Sequence, residues 1–331
     1  MLEDADPNET IFGRAYRSDE TIAVRHGIQF DYKNGKRSAT QRFVNHYLKA
    51  DGKAYTKAEL AEMQYAAQFK GRDPRLAQTI QGPGYVAIEG TGAEQISWER
   101  TVTGYRVIKF ISSAAHEGAT TSTSDFALFR YAEVLLNYAE AKAELGILTD
   151  ADVAATIDVI RARVSMPAMK TVPTTADPLM EEYYPNAKGT QKAAILEVRR
   201  ERTVELCFEG FRQWDLLRWK EGKWLTPAST KGFQGLYFPA LGEYDLDGDG
   251  KMDVCLYQGT KPATTAPEAN IIEVAGNWSL TNGTSGNLTY YKAESYQWDE
   301  NKDYLWPIPE DQRQITNGAL SQNPGWTDGM Q

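Results

Sequence analysis

Apolar positions recur at helical spacing in three parts of the chain. Residues 56–70 place Leu60, Met63 and Ala67 on one stripe, with Thr56 and Glu59 spaced as a capping box. Gly71 then reads as a C-cap and Pro74 as a stop. The clearest helix runs from Ser124/Asp125 to Leu145, with Leu128, Ala132, Leu135, Ala139 and Ala143 on one face and Gly146 as the residue just past its end. A second helix starts at Thr149, where Asp152 completes a capping box. Val153, Ile157, Ile160 and Val164 form its apolar face, and Pro167 follows its end. The two helices make an αα-hairpin similar to one tetratricopeptide unit. A single unit cannot bury its own face, so partner helices are expected elsewhere. A third helical stretch runs from Thr190 to about Phe208, breaks at Gly210 and resumes from Phe211 to Trp219. Its charges pair three apart: Glu197 with Arg200, Arg202 with Glu205, Glu209 with Arg212, Asp215 with Arg218. That density predicts a partly buried ionic network around the Gly210 break.

Outside these stretches the helical period is lost. Thr10–Phe12 and Ile22–Val24 read as short strands or loop edges, and residues 79–123 as Gly- and Thr-rich loops with short strands. Residues 223–300 read as loops with scattered strands, Tyr304–Pro309 as extended, and Asp311–Asn317 as a short turn. No low-complexity linker divides the chain. The expectation is a mainly α unit over 1–331, with a helical scaffold core at 124–220 and a loop-rich, minor-β region at 223–331.

Composition narrows the function classes. Lys and Arg total 36 against 45 Asp and Glu, a net charge of −9, which disfavours nucleic-acid phosphates. The basic run Arg199, Arg200 and Arg202 is interleaved with Glu197, Glu201 and Glu205, and no dense basic stripe offsets the acidity. No run approaches the ~20 apolar residues that cross a bilayer. The N-terminus MLEDADPNETIF has no apolar signal core. Cys207 reads as a small core residue; a bond to Cys255 is neither demanded nor ruled out by the sequence. Only 3 His are present, which argues against metal–histidine chemistry. There is no nucleophile elbow, HExxH or phosphate loop. The charged residues Arg199, Arg200, Glu205, Glu209, Arg212 and Asp215 read as helix-packing ion pairs rather than an acid/base site. The triplets at Asn277, Asn282 and Asn287 fit a glycosylation pattern, which has meaning only in a eukaryotic secreted protein.

One local motif carries chemistry. In DLDGDGKMD, Asp245, Asp247, Asp249 and Asp253 fall at positions 1, 3, 5 and 9 of a Ca²⁺ loop. Gly250 permits the sharp turn and Lys251 stands where a backbone carbonyl would ligate. Position 12 is Leu256 rather than Glu, and flanking helices are missing, so this is not an EF-hand. Four carboxylates in nine residues call for solvent or a cation between them, and a Ca²⁺ held here would be structural.

Three blocks carry a family resemblance. DFALFRYAEVLLNYAEAKAELG, ILEVRRERTVELCFEGFRQWDLLRWKEG and YLWPIPEDQRQITNGALSQNPGW resemble, in order, conserved-type blocks of SusD/RagB proteins; GRDPRL and TGYRVIKF also fit family positions. Together they span roughly residues 70–326. The resemblance implies a predominantly helical, tetratricopeptide-like fold and a noncatalytic, surface-exposed outer-membrane lipoprotein of Bacteroidota. Such a protein captures glycans, or in some cases peptides, beneath the lid it forms on a SusC-like TonB-dependent transporter, in polysaccharide utilisation. It needs no cofactor. It also implies a longer protein, with the signal peptide, lipidated cysteine and further helices N-terminal to this chain. A protein-binding helical scaffold is the alternative, and a glycoside hydrolase is disfavoured because no isolated carboxylate pair stands out.

Sugar recognition needs flat aromatic faces on loops, with planar polar groups for the hydroxyls. Trp98, in the Gly/Thr-rich segment, is the first candidate. Tyr32 and His26 follow, with Arg25 and Asn34 as hydrogen-bonding companions, all within RHGIQFDYKNGKR. Trp278 and Trp298 are lesser candidates, whereas Trp214, Trp219 and Trp306 read as packing.

Overall fold

The computed structural model describes residues 4–19, 23–228, 233–291 and 294–327. Ile22, expected in a short strand, lies outside them; Ala23–Val24 pairs with Arg17–Ser18. Both expected capping boxes form, Thr56 with Glu59 and Thr149 with Asp152. The helix they were expected to start is broken in each case. The first splits into Lys57–Ala61 and Tyr65–Phe69, so Tyr65 and Gln68 face the core while Ala67 is exposed. Pro74 does not stop a helix; it is the N-cap of Arg75–Thr79, because its missing N–H costs nothing there. The second splits at Thr156, whose hydroxyl donates to the Asp152 carbonyl (2.6 Å), giving Asp150–Ala155 and Ile157–Arg163.

The clearest helix starts later than its pattern predicts. Phe126–Arg130 is a strand, antiparallel to Thr10–Arg14, and the helix is Tyr131–Glu144. Pairing with a distant strand overrides the local period, which leaves Leu128 and Phe129 exposed. Asp125, expected at the start of the helix, instead accepts the backbone N–H groups of Ala5 (3.2 Å) and Tyr16 (3.0 Å). The rest of the stripe holds: Ala132, Leu135, Ala139 and Ala143 are buried, and Gly146 ends the helix at φ +73°.

The partner for the hairpin lies in this chain. Lys192–Glu205 packs on Tyr131–Glu144 and on Ile157–Arg163, with Pro178–Tyr183 beside it. Ala194, Ile195, Leu196 and Val198 join Ala139, Ala143, Val153, Ile157, Met180 and Trp219 in one apolar cluster. Val204, at the other end of the same helix, enters a second cluster with Tyr47, Leu76, Ile80, Trp98, Val107, Leu236 and Leu288. The second cluster is roofed by two three-stranded sheets. One runs Phe233–Phe238, Gly286–Tyr290, Trp278–Leu280, all antiparallel; the other runs Gly242–Tyr244, Val254–Tyr257, Ile271–Glu273, with the last pair parallel. The expected turn near the tail is a short helix, Glu310–Ile315. Cys207 and Cys255 are buried free thiols, so no disulfide joins them.

Charge satisfies the buried part of this helix. Twelve of the fourteen residues of Lys192–Glu205 are buried, Arg199, Arg200, Glu201, Arg202 and Glu205 among them. Glu201 binds Arg75 (2.6 Å) and Arg161 (3.0 Å). Glu205 binds Arg130 (2.9 Å), Arg163 (2.8 Å) and Arg75 (3.1 Å). Arg130 reaches on to Glu209 (2.7 Å), which also takes Lys109 (2.6 Å). Arg202 turns the other way, to Asp215 (3.1 Å) and Glu140 (3.4 Å). Two of the four expected local pairs form, Glu197–Arg200 and Asp215–Arg218. Arg202–Glu205 and Glu209–Arg212 do not, because each partner is taken by a residue from another element; Arg212 donates to Tyr184 Oη (3.0 Å) and Thr203 Oγ1 (2.9 Å).

Two groups make this core acid-sensitive. Burial pushes the Glu205 carboxyl up, but Arg130, Arg163 and Arg75 outweigh it and hold it at about 2. His46 is fully buried, and burial followed by Arg212, Arg42 and Arg200 pushes its imidazole well below 6.5. Its Nδ1 therefore donates to the Arg42 carbonyl (2.8 Å) and Nε2 accepts from Tyr184 Oη (2.7 Å). Both groups bind protons more weakly folded than unfolded, so both contribute stability that is lost as pH falls. Chemical denaturation should show stability dropping first below the ordinary histidine pKa of 6.5 and again between about 4.5 and 2. The upper step should be missing in His46→Gln; a wild-type curve flat from pH 7.5 to 5.5 would contradict the His46 assignment. Glu205→Gln leaves three guanidinium groups around a neutral amide and should cost about 3–5 kcal/mol at pH 7, with a loss under 1 kcal/mol counting against the network.

Candidate functional site

The five residues expected to bind a ligand are not brought together as one surface. Trp98, the first choice, is 2% exposed and lies in the apolar cluster beside Leu236. Its backbone N–H donates to Asn270 Oδ1 (2.8 Å), and no ring face is free for a sugar. The Gly/Thr-rich segment around it is not a surface loop but a strap drawn into the core by Ile96, Trp98, Tyr105 and Val107. Tyr32 is half-buried, tilted against Phe110 (5.1 Å) and edge-on to Phe208 (6.4 Å), with its hydroxyl donating to the Phe208 carbonyl (3.3 Å). Burial pushes that hydroxyl up to about 12. His26 accepts the Ile28 N–H at Nδ1 (3.2 Å), so its Nε2 donates to the Ser124 carbonyl (2.8 Å) and the ring is occupied in turn-building. Arg25 and Asn34 are exposed and bond locally, Arg25 to Ser18 and Asn34 to the Phe30 carbonyl (3.0 Å). These four side chains hold the 25–34 segment in place.

The structure assembles a different aromatic row. In the first sheet Tyr290 lies directly opposite Phe233 on one neighbour and Trp278 on the other. Register therefore puts all three rings on one face at the same end of the sheet. Trp278 and Tyr290 are 5.4 Å apart between centroids, Tyr290 and Tyr291 4.3 Å, and Phe233 and Tyr291 6.3 Å. The Trp278 indole N–H donates to the Val102 carbonyl (3.2 Å), which fixes the ring. Tyr291 is 52% exposed. Its backbone sits at φ +59°, which a bulky side chain adopts only where its surroundings impose it. Phe233, Tyr290 and Trp278 are half-buried, so each shows part of a ring to solvent and rests the remainder on the core edge. Of these, Trp278 is the one singled out by sequence, as a lesser candidate. Tyr290 and Tyr291 stand out in the sequence as a doublet, but only strand register reveals what they face. Trp298 packs edge-on to Tyr304 (5.0 Å) and does not join the row.

A cleft of about 670 Å³ lies between the 51–57 loop and the 167–179 segment. Its one aromatic wall, Tyr55, already carries Arg72 (4.5 Å) and Lys49 (4.9 Å) over its ring. The acidic loop 245–253 forms the tip of the hairpin between Gly242–Tyr244 and Val254–Tyr257. Asp245, Asp247 and Asp253 converge there, each with one oxygen within 4.8 Å of the others. Asp249 does not join them; it pairs with Lys251 (2.8 Å), whose backbone N–H it also accepts (2.9 Å).

No helix among the described residues is long and apolar enough to cross a membrane. A search of curated proteins finds no match. Among solved structures, the chain is similar to a SusD-like protein from Bacteroides fragilis NCTC 9343, with 21% identity, a TM-score of 0.56, and coverage of 96% of this chain and 54% of that one. It is also similar to a SusD-like carbohydrate binding protein from the same organism, with 22% identity, a TM-score of 0.56, and coverage of 93% and 53%. The chain thus spans about half the length of these structures. They share its fold, mainly helical with a loop-rich, minor-β part, as the sequence pattern predicts. The SusD family profile matches residues 8–326, and the chain belongs to that family.

Proposed function

We propose that this chain is part of a glycan-capture protein of the bacterial surface, and that the row Phe233, Trp278, Tyr290 and Tyr291 is its sugar-stacking surface. The observation that carries the reading is the row itself: Phe233, Tyr290 and Trp278 in register across one end of the sheet, with Tyr291 beside them held exposed in a strained backbone. Pyranose rings present C–H patches that pack on such faces, while their hydroxyls keep contact with water and flanking polar groups. In this reading capture involves no bond breaking and no cofactor. The protein would be anchored as an outer-membrane lipoprotein and would hand oligosaccharides to a SusC-like TonB-dependent transporter. Support for that finer assignment is family membership.

One observation favours a protein ligand instead. Tyr131, Val134 and Tyr138 leave an apolar stripe exposed on the long helix, with Trp214 exposed as well. A helical scaffold for peptides or a partner protein would use such a face.

Affinity electrophoresis and calorimetry against a polysaccharide panel separate the readings. Tyr291→Ala should weaken binding of whichever glycan is retained by about 10-fold or more, the scale of an aromatic anchor, without lowering the Tm. Release of reducing ends would contradict the noncatalytic reading, and binding unchanged in both Tyr291→Ala and Tyr290→Ala would remove the row. Trp98→Ala should instead cost about 3–5 kcal/mol of stability through the cavity it leaves, whether or not glycan is present.

A further inference from the structure

The acidic hairpin tip holds a group that its own contacts do not explain. Asp253 is 1% exposed. Its Oδ2 accepts the Leu246 N–H (2.7 Å), but Oδ1 is sealed from solvent and receives no hydrogen bond. Burial pushes this carboxyl up; the Asp247 N–H and the Gln95 side chain lie close enough to offset that in part, but neither makes a hydrogen bond to Oδ1. A carboxylate oxygen buried and unpartnered is costly unless something positive meets it. The nearest charged groups make the cost larger. Asp245 and Asp247 bring two more carboxylates to within 4.8 Å, and the one lysine of the loop, Lys251, is turned onto Asp249.

The rest of the loop is arranged for a cation. Asp245 accepts two backbone N–H groups, from Gly248 (2.7 Å) and Gly250 (2.9 Å), which orients its carboxylate. Gly248 and Gly250 sit at φ +82° and +85°, conformations that side chains resist. Nothing but oxygen is on offer, which selects hard cations, and an irregular surface loop tolerates the six to eight ligands of Ca²⁺ better than the strict octahedron of Mg²⁺.

We infer that Asp245, Asp247 and Asp253 bind one Ca²⁺, with main-chain carbonyls and water completing its shell. Asp249 is not a ligand, so this ligand set departs from the 1-3-5-9 spacing of the sequence. The ion does more than neutralise a turn, because Asp253 is tied to the core. The Asp253 carbonyl accepts Asn270 Nδ2 (2.7 Å), which also donates to the Ile96 carbonyl (2.7 Å), while Asn270 Oδ1 accepts the Trp98 N–H (2.8 Å). Binding at the tip therefore fastens the hairpin to the 96–98 strap on which the core is closed.

The test is calorimetric titration of the 331-residue chain with CaCl₂ and MgCl₂ after chelator treatment, alongside thermal melts. One equivalent of Ca²⁺ should bind, at least 10-fold more tightly than Mg²⁺, and millimolar Ca²⁺ should raise the Tm by about 5 °C. Asp253→Asn and Asp245→Asn should each abolish binding, whereas Asp249→Asn should keep it within a few-fold. Asp245 is partly exposed, so its variant reports on binding even where Asp253→Asn fails to fold. No heat and no Tm shift at millimolar Ca²⁺ would overturn the site. So would unchanged binding in Asp245→Asn, or a loss in Asp249→Asn as large as in Asp245→Asn.

Discussion

The fold depends on how the Lys192–Glu205 helix is allowed to be buried. It lies between two apolar clusters and contributes residues to both, so it cannot keep its charged residues in water. Burying Glu201 and Glu205 is tolerable only because Arg75, Arg130, Arg161 and Arg163 arrive from three separate segments to meet them. Arg75 is held by Asp73 as well, and Arg130 by Glu9 and Glu209. A network of this kind contributes little net attraction once desolvation is counted, but it fixes which segments meet and at what register. The strand before Tyr131 is a direct consequence. Arg130 must reach Glu205, Glu209 and Glu9 together, and an extended Phe126–Arg130 paired with Thr10–Arg14 delivers it there.

That constraint explains what the sequence shows and what it conceals. The capping boxes at Thr56 and Thr149, the stripe from Ala132 to Ala143, and the breaks at Gly146 and Gly210 all rest on local chemistry, and all are legible. Helix continuity is not, because Thr156 and the 62–64 turn yield to packing. Spacing of charges three apart identifies the ionic helix correctly but assigns half its partners wrongly, since Arg202 pairs with Asp215 and the distant Glu140, and Glu209 with the distant Arg130 and Lys109.

Ligand recognition is the least legible part for the same reason. A tryptophan in a glycine- and threonine-rich stretch looks exposed, yet Trp98 is drawn inside together with Ile96, Tyr105 and Val107 of the same strap. The aromatic row depends on Tyr290 standing opposite both Phe233 and Trp278, a register no periodicity encodes. The acidic loop is the reverse case: its residue types carry the signal in the sequence, and the structure only sets Asp249 apart from the converging Asp245, Asp247 and Asp253. Strap, hairpin and sheet edge then form one continuous assembly around Asn270 and Trp98, resting on the helical scaffold.

In the proposed capture, sugar is held across the aromatic end of the first sheet while the helices only support it. Hydrogen–deuterium exchange of the chain with and without a retained polysaccharide tests this most directly. Protection concentrated in Phe233–Phe238 and Trp278–Tyr291 is the predicted result. Protection confined to the Tyr131–Arg163 helices, with the sheet edge unchanged, would contradict it.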